Sequence, residues 1–209
     1  MEDVIDVYHL PYNAKRPVIC VDELPFQMLG EKVAPIEMKE GKEKKFDYEY
    51  QRNGVASVFL AFEPLTGKRL VRVYRQRTKA DYCRFAQEII KEWAEAEVIV
   101  EVQDNLNTHN ASSFYENLPP IEARELTKTI EFHYTPKKGS WLNMAEMELS
   151  ALPRQCLSRR IPDIETLSSE LESIVKERNN LAVKFKWQFT VETAREKLSR
   201  HYEKVTLKT

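Results

Sequence analysis

The sequence predicts an α/β fold, a sheet flanked by helices, on three observations. Two strand-like runs, VASVFLAF (55–62) and RLVRVYRQ (69–76), enclose the turn residues EPLTGK (63–68) and read as a hairpin. Residues 79–93 place Tyr82, Phe85, Ala86, Ile89, Ile90 and Trp93 at helical spacing, the pattern of an amphipathic helix. Two more apolar runs carry aspartate toward their C-terminal ends, Asp22 in PVICVDEL (17–24) and Asp104 in EVIVEVQDN (97–105).

Taken in order, PVICVDEL is a buried strand closed by Pro25, and the polar, lysine-rich stretch from Gly30 to Lys45 reads as a surface loop. The hairpin, the 79–93 helix and the 97–105 strand follow, then a helix near 110–118 and a strand at TIEFHYT (129–135). Pro136 and Gly139 punctuate a loop, Ser140 offers an N-cap, and the residues from Trp141 onward favour a helix that contains Glu146. The expected order is strand, strand, strand, helix, strand, helix, strand, helix. Within the last helix Leu142, Ala145, Leu149, Leu152 and Cys156 form an apolar stripe, with Asn143 and Glu146 on its border. Glu146 there is either a solvated edge residue or a ligand aimed into a cleft. Asp163 can cap a helix over 163–180, Val183, Phe185, Trp187 and Phe189 alternate along an extended piece, and Thr190 opens a terminal helix.

Composition narrows the function classes. A chain of 209 residues, 42% hydrophobic and 31% charged, can bury the core of one domain. No apolar run is long enough to span a membrane and MEDVIDVYHL does not resemble a signal peptide, so no membrane partner is expected. Three separated cysteines and four histidines without zinc spacing suit a reducing cytoplasm and argue against a structural zinc. With 32 basic and 33 acidic residues, any contact with nucleic acid must come from local patches. The run KRLVRVYRQRTK (68–79) is one candidate, with Arg72, Arg75 and Arg77 as phosphate contacts, although a strand with solvated charges would look similar. Lys137 and Lys138, beside a predicted helix N-terminus, are others.

In such a fold Asp22 and Asp104 end adjacent strands and Glu146 lies on a helix packed nearby. Converging carboxylates of this kind can hold two magnesium ions for an in-line phosphoryl displacement. The runs ICVDELP, DYEYQRNGVASVFLAFEPLTGKR, VQDNLNTH, YTPKKGSWLNMAEMELS and RNN with WQFTVETAREKL resemble the insertion-sequence 630 group of the mariner transposase superfamily. The resemblance covers residues from about 1 to 202. It implies a ribonuclease H-like mixed sheet flanked by helices, and a DDE catalytic and metal-binding triad at Asp22, Asp104 and Glu146 holding two Mg2+ or Mn2+ ions. It gives Asn143 a supporting role, and Asn105 and His109 stand beside Asp104 as further supporting candidates. His109 could equally satisfy a nearby turn. Glu23 points to the other strand face from Asp22, and Glu148, about 200° around the helix from Glu146, is expected to face solvent.

The resemblance further implies a single catalytic domain, with a core near 15–160 and a helical C-terminal extension over 161–209. The N-terminal helix-turn-helix domain of full-length relatives is expected to be absent. From Asp104 to Glu146 is 42 positions, longer than the family's usual interval, and the excess is expected to lengthen a loop within 116–129. The implied activity is cleavage at element ends and strand transfer by a prokaryotic, cytoplasmic enzyme. Its partners would be the terminal inverted repeats, target DNA, a separate helix-turn-helix domain and a second copy in a homodimer. Another ribonuclease H-like nuclease, or an inactive or accessory transposase remnant, are the alternatives.

Overall fold

Helix α1 (Glu2–Tyr8), absent from the sequence expectation, leads into the long strand β1 (Val18–Glu31), which runs past Pro25 and Gly30. The computed structural model describes residues 1–34, 36, 39–41, 47–106, 108–137, 139–156 and 159–199, the side chains of 153–156 excepted. The hairpin is β2 (Tyr50–Glu63) and β3 (Lys68–Tyr74), followed by α2 (Lys79–Glu92) and β4 (Ile99–Gln103). Then come α3 (Ala111–Asn117), α4 (Pro120–Thr129), β5 (Ile130–Tyr134), a 3-10 turn (Ser140–Leu142) and α5 (Met144–Cys156). Helices α6 (Ile164–Asn180) and α7 (Val191–Lys197) follow.

Two expectations are corrected. The 116–129 stretch is mostly helix rather than loop: Pro119 and Pro120 start α4, where a proline nitrogen has no intrahelical acceptor to miss. The helix bearing Glu146 begins at Met144 and not after Ser140, because residues 140–142 wind as a 3-10 turn and Asn143 breaks out in extended geometry.

The sheet is mixed and five-stranded, in the order β3-β2-β1-β4-β5. Strand β1 is antiparallel to β2 and parallel to β4, β2 is antiparallel to β3, and β4 is parallel to β5. Alternation then divides the core in two. Cys20, Leu60, Phe62, Val71, Val100 and Val102 face one way, against α1, α5 and α6. Ile19, Val21, Phe59, Ala61 and Ile99 face the other, against Tyr82, Phe85 and Ile89 of α2 and Phe114 of α3. Thr78 caps α2 in a reciprocal capping box with Asp81, which fixes where the chain leaves β3.

The C-terminal region packs on the α5 side. Asp163 caps α6, and residues 183–189 run extended over the base of the hairpin, with the Phe185 amide donating to the Pro64 carbonyl at 3.2 Å. Gly67 is required there: its φ is +80°, and a Cβ would lie 2.7 Å from the Val183 oxygen. No helix among the described residues is long and apolar enough to cross a membrane.

Candidate active site

Strand register brings the two aspartates together. Cys20 of β1 pairs with Val102 of β4 in parallel, so Asp22, two residues further along β1, lies beside the end of β4, just past which Asp104 follows. Glu146 comes from the first turn of α5, which packs on the same face through Ala145, Leu149 and Leu152, with Leu142 of the preceding 3-10 turn beside them, all buried. Each large apolar side chain in that stripe contributes about 1.5–3 kcal/mol of burial. Both Asp22 and Glu146 are partly buried.

Asp22 feels the other two carboxylates. Burial pushes the Asp22 carboxyl up to about 7, against a hydrogen bond from the Glu23 amide, and repulsion from Glu23, Asp104 and Glu146 adds to the rise. Hard oxygen donors that repel the Asp22 charge suit Mg2+ or Mn2+, which would offset that repulsion. Among the described residues, however, no three Asp, Glu, His or Cys side chains already form a metal-binding cluster. Asp22 Oδ1 instead accepts from the Glu23 amide at 2.8 Å, and Asp104 Oδ1 contacts His109 Nδ1 at 3.0 Å.

Asn143 has a clear structural task. Its side-chain nitrogen donates to the Val21 carbonyl at 2.8 Å, and its oxygen accepts from the Ala145 amide at 3.1 Å. One amide therefore caps α5 and joins it to the residue before Asp22. Tyr8 helps from α1, donating to the Leu142 carbonyl at 2.7 Å and accepting from the Met144 amide at 3.3 Å. The start of the Glu146 helix is thus fixed to β1 by side chains that are 1% and 8% exposed, Asn143 and Tyr8.

On the opposite face His109 is fully buried, with its ring centroid 4.8 Å from that of Tyr82 and its Nε2 3.0 Å from Glu23 Oε2. Desolvation alone would lower its pKa, but hydrogen bonds and charge from Asp104 and Glu23 raise it to about 9. Glu101, buried in β4 near this imidazolium, is pushed up to about 7 by desolvation and receives the Tyr82 hydroxyl at 2.8 Å.

The basic candidates divide. Arg77 ion-pairs with Glu23 at 2.8 Å and stays half-exposed, Arg75 is exposed, and Arg72 is paired with Glu88 of α2. Lys137 is exposed in the turn after β5, and Asn105 is exposed next to Asp104. Lys138 lies outside the described residues. Arg69, from the same basic run, is 2% exposed and belongs to the core.

Glu148 is the largest departure from expectation. It is fully buried, where Arg69 Nε (2.8 Å) and Arg178 Nε (2.6 Å) reach it from β3 and α6. The side of α5 away from Glu146 is covered by α6, so a position read as solvent-facing holds a three-charge cluster. Asn179 reinforces the link by accepting from the Arg69 amide and donating to its carbonyl, both at 2.9 Å, much as a neighbouring strand would.

A family model described as DDE superfamily endonuclease matches residues 17–168, which include all three carboxylates. No curated protein matches the chain in sequence. The crystal structure of the Mos1 mariner paired end complex with Mn superposes with a TM-score of 0.54 at 14% identity, covering 86% of this chain and 55% of that one. A cryoEM structure of the simian T-cell lymphotropic virus intasome in complex with PP2A regulatory subunit B56 gamma gives a TM-score of 0.49 at 10% identity. It covers 79% of this chain and 51% of that one, and the overlap is too loose to argue from. The chain spans about half the length of these structures. The mixed sheet and its flanking helices are similar in fold to the ribonuclease H-like catalytic domain of the Mos1 mariner transposase. By the match over 17–168, the chain belongs to the DDE superfamily endonucleases.

Proposed function

We propose that this chain is the catalytic domain of a transposase of the insertion-sequence 630 group, cutting DNA at element ends and transferring the freed strand into target DNA. The observation that carries the proposal is the placement of Asp22, within β1, beside the end of β4 just past which Asp104 follows, with Glu146 on a helix that Asn143 fastens to β1. Asp22, Asp104 and Glu146 are the residues that would hold Mg2+ or Mn2+. Bound there, the ions would polarise the scissile phosphate and the attacking oxygen. The chain's own part would be positioning: the sheet would index two carboxylates, and the clamped helix would supply the third.

The test is cleavage of a duplex carrying the terminal inverted repeats, with Mn2+, with Mg2+ and with EDTA. Metal-dependent nicking at the repeat ends is expected, and Glu146→Ala should lower its rate on the order of 10³-fold, the scale of removing a charge-stabilising group. Cleavage that persists in EDTA would refute the reading. A separate helix-turn-helix domain and a second copy of the chain would complete the assembly.

DNA binding by this chain alone should be weak and indifferent to sequence. Net charge is −1, and the exposed cations Arg75, Arg77 and Lys137 would meet phosphates rather than base edges. Affinity should fall steeply between about 50 and 200 mM salt, as counterion release demands. Titration of repeat-end and scrambled duplexes at both salts measures this, and a preference for the repeat end that survives high salt would contradict it.

A further inference from the structure

Glu23 sits next to Asp22 on β1 but faces the other side of the sheet, where it meets His109 and Arg77. The contacts form a chain: Arg77 Nη1 to Glu23 Oε1 at 2.8 Å, Glu23 Oε2 to His109 Nε2 at 3.0 Å, and His109 Nδ1 to Asp104 Oδ1 at 3.0 Å. Little in it can move. The His109 side chain is 0% exposed and the Glu23 side chain 2%. The ring lies against Tyr82, the His109 carbonyl accepts from Gln103 at 3.1 Å, and its amide donates to the Leu106 carbonyl at 3.0 Å. Asp104 itself has left the strand ladder, since β4 ends at Gln103, so backbone pairing does not orient its carboxylate.

We propose that Glu23 and His109 are positioning residues for the second carboxylate: Glu23 fixes the imidazole, and the imidazole holds Asp104 Oδ1, presenting Oδ2 to the metal. Strand β1 then sets two ligands at once, Asp22 directly and Asp104 through the neighbouring residue. The inference rests on the metal-binding reading of Asp22, Asp104 and Glu146 given above. Hydrogen-bonded partners of a ligand fix its orientation, and their loss weakens metal affinity roughly 10–100-fold.

Two substitutions separate positioning from packing. In His109→Asn the side-chain amide stands near the place of Nδ1 and can still donate to Asp104, whereas in His109→Gln it reaches the place of Nε2 and meets only Glu23. Mn2+ titration followed by the signal of the free ion reads affinity without any need for catalysis, and melting in EDTA confirms that each variant is folded. The expected result is roughly 10–100-fold weaker Mn2+ binding in His109→Gln. His109→Asn should stay close to the unaltered chain, and Glu23→Gln should fall between the two. Equal weakening in both His109 variants, or none in either, overturns the proposal. Asp104→Ala is the control: if it binds Mn2+ like the unaltered chain, the metal site itself is refuted, whereas its loss together with unaffected His109→Gln refutes only the positioning role.

Discussion

Glu148→Ala should destabilise the protein by about 3–5 kcal/mol, because it strands a buried cation. Arg69 is 2% exposed and reaches no other carboxylate among the described residues, its remaining side-chain hydrogen bonds going to the carbonyls of Gly67 and Val183. Arg178 loses the same partner. Burial would raise the Glu148 carboxyl, but Arg69 and Arg178 hold it below the usual range. A lowered folded pKa means that the stabilisation is present above the unfolded value near 4 and is lost as pH falls through the folded one. The difference between the two proteins should therefore be full at pH 7 and shrink in acid. Urea unfolding at the two pH values measures it. A loss under about 1 kcal/mol at pH 7, the scale of an exposed pair, would show that the cluster does not lock α5 to α6 and β3.

That cluster also shows what a sequence can and cannot disclose. Asp22, Asp104 and Glu146 stand out in the sequence because each occupies a punctuated place, two at the ends of apolar runs and one just after a Pro and Gly loop. The strand and helix order was legible because alternation and helical spacing are local properties. Glu148 was misread because helical angle gives a direction relative to Glu146 but not what lies in that direction. The covering helix α6 begins sixteen residues later, at Ile164. The burial of Arg69 is hidden for the same reason. In sequence it is one of several cations on a strand, and only the approach of residues 178–183 to that strand buries it.

Local geometry hid the other differences. Nothing in GSWLNMAE separates a 3-10 turn followed by a helix from one continuous helix, since the break at Asn143 is set by its bond to Val21 across the molecule. The resemblance marked Asn143 as supporting, and the structure supplies a reason for an asparagine: one donor and one acceptor are used at once. His109 is similar. VQDNLNTH leaves His109 either a supporting residue or one that satisfies a nearby turn, and its burial comes from the approach of Glu23 and Tyr82, which the sequence does not display.

Asp22→Asn should abolish cleavage while making the metal-free protein more stable. The amide is nearly isosteric and keeps an oxygen for the Glu23 amide, so packing is preserved. What it removes is a charge that the fold holds at a disadvantage. The Asp22 pKa is about 7 in the folded protein, raised from an ordinary 3.8, so between these values the folded state keeps a proton that the unfolded chain has released. Stability due to this group therefore falls as pH rises from about 4 to about 7, and the loss is complete above that. A rise of that size corresponds to at most about 4 kcal/mol, and partial exposure of the side chain reduces the figure to a few kcal/mol. In EDTA, Asp22→Asn should match the unaltered chain near pH 4 and exceed it at pH 8. Saturating Mn2+ should then restore the unaltered chain, by about 2.7 kcal/mol at a hundredfold excess over its dissociation constant, and do little for the variant. Denaturant unfolding across pH, with and without Mn2+, checks both halves. A variant no more stable at pH 8, yet just as responsive to Mn2+, would place the cation away from Asp22 and leave the repulsion among these carboxylates without a functional purpose.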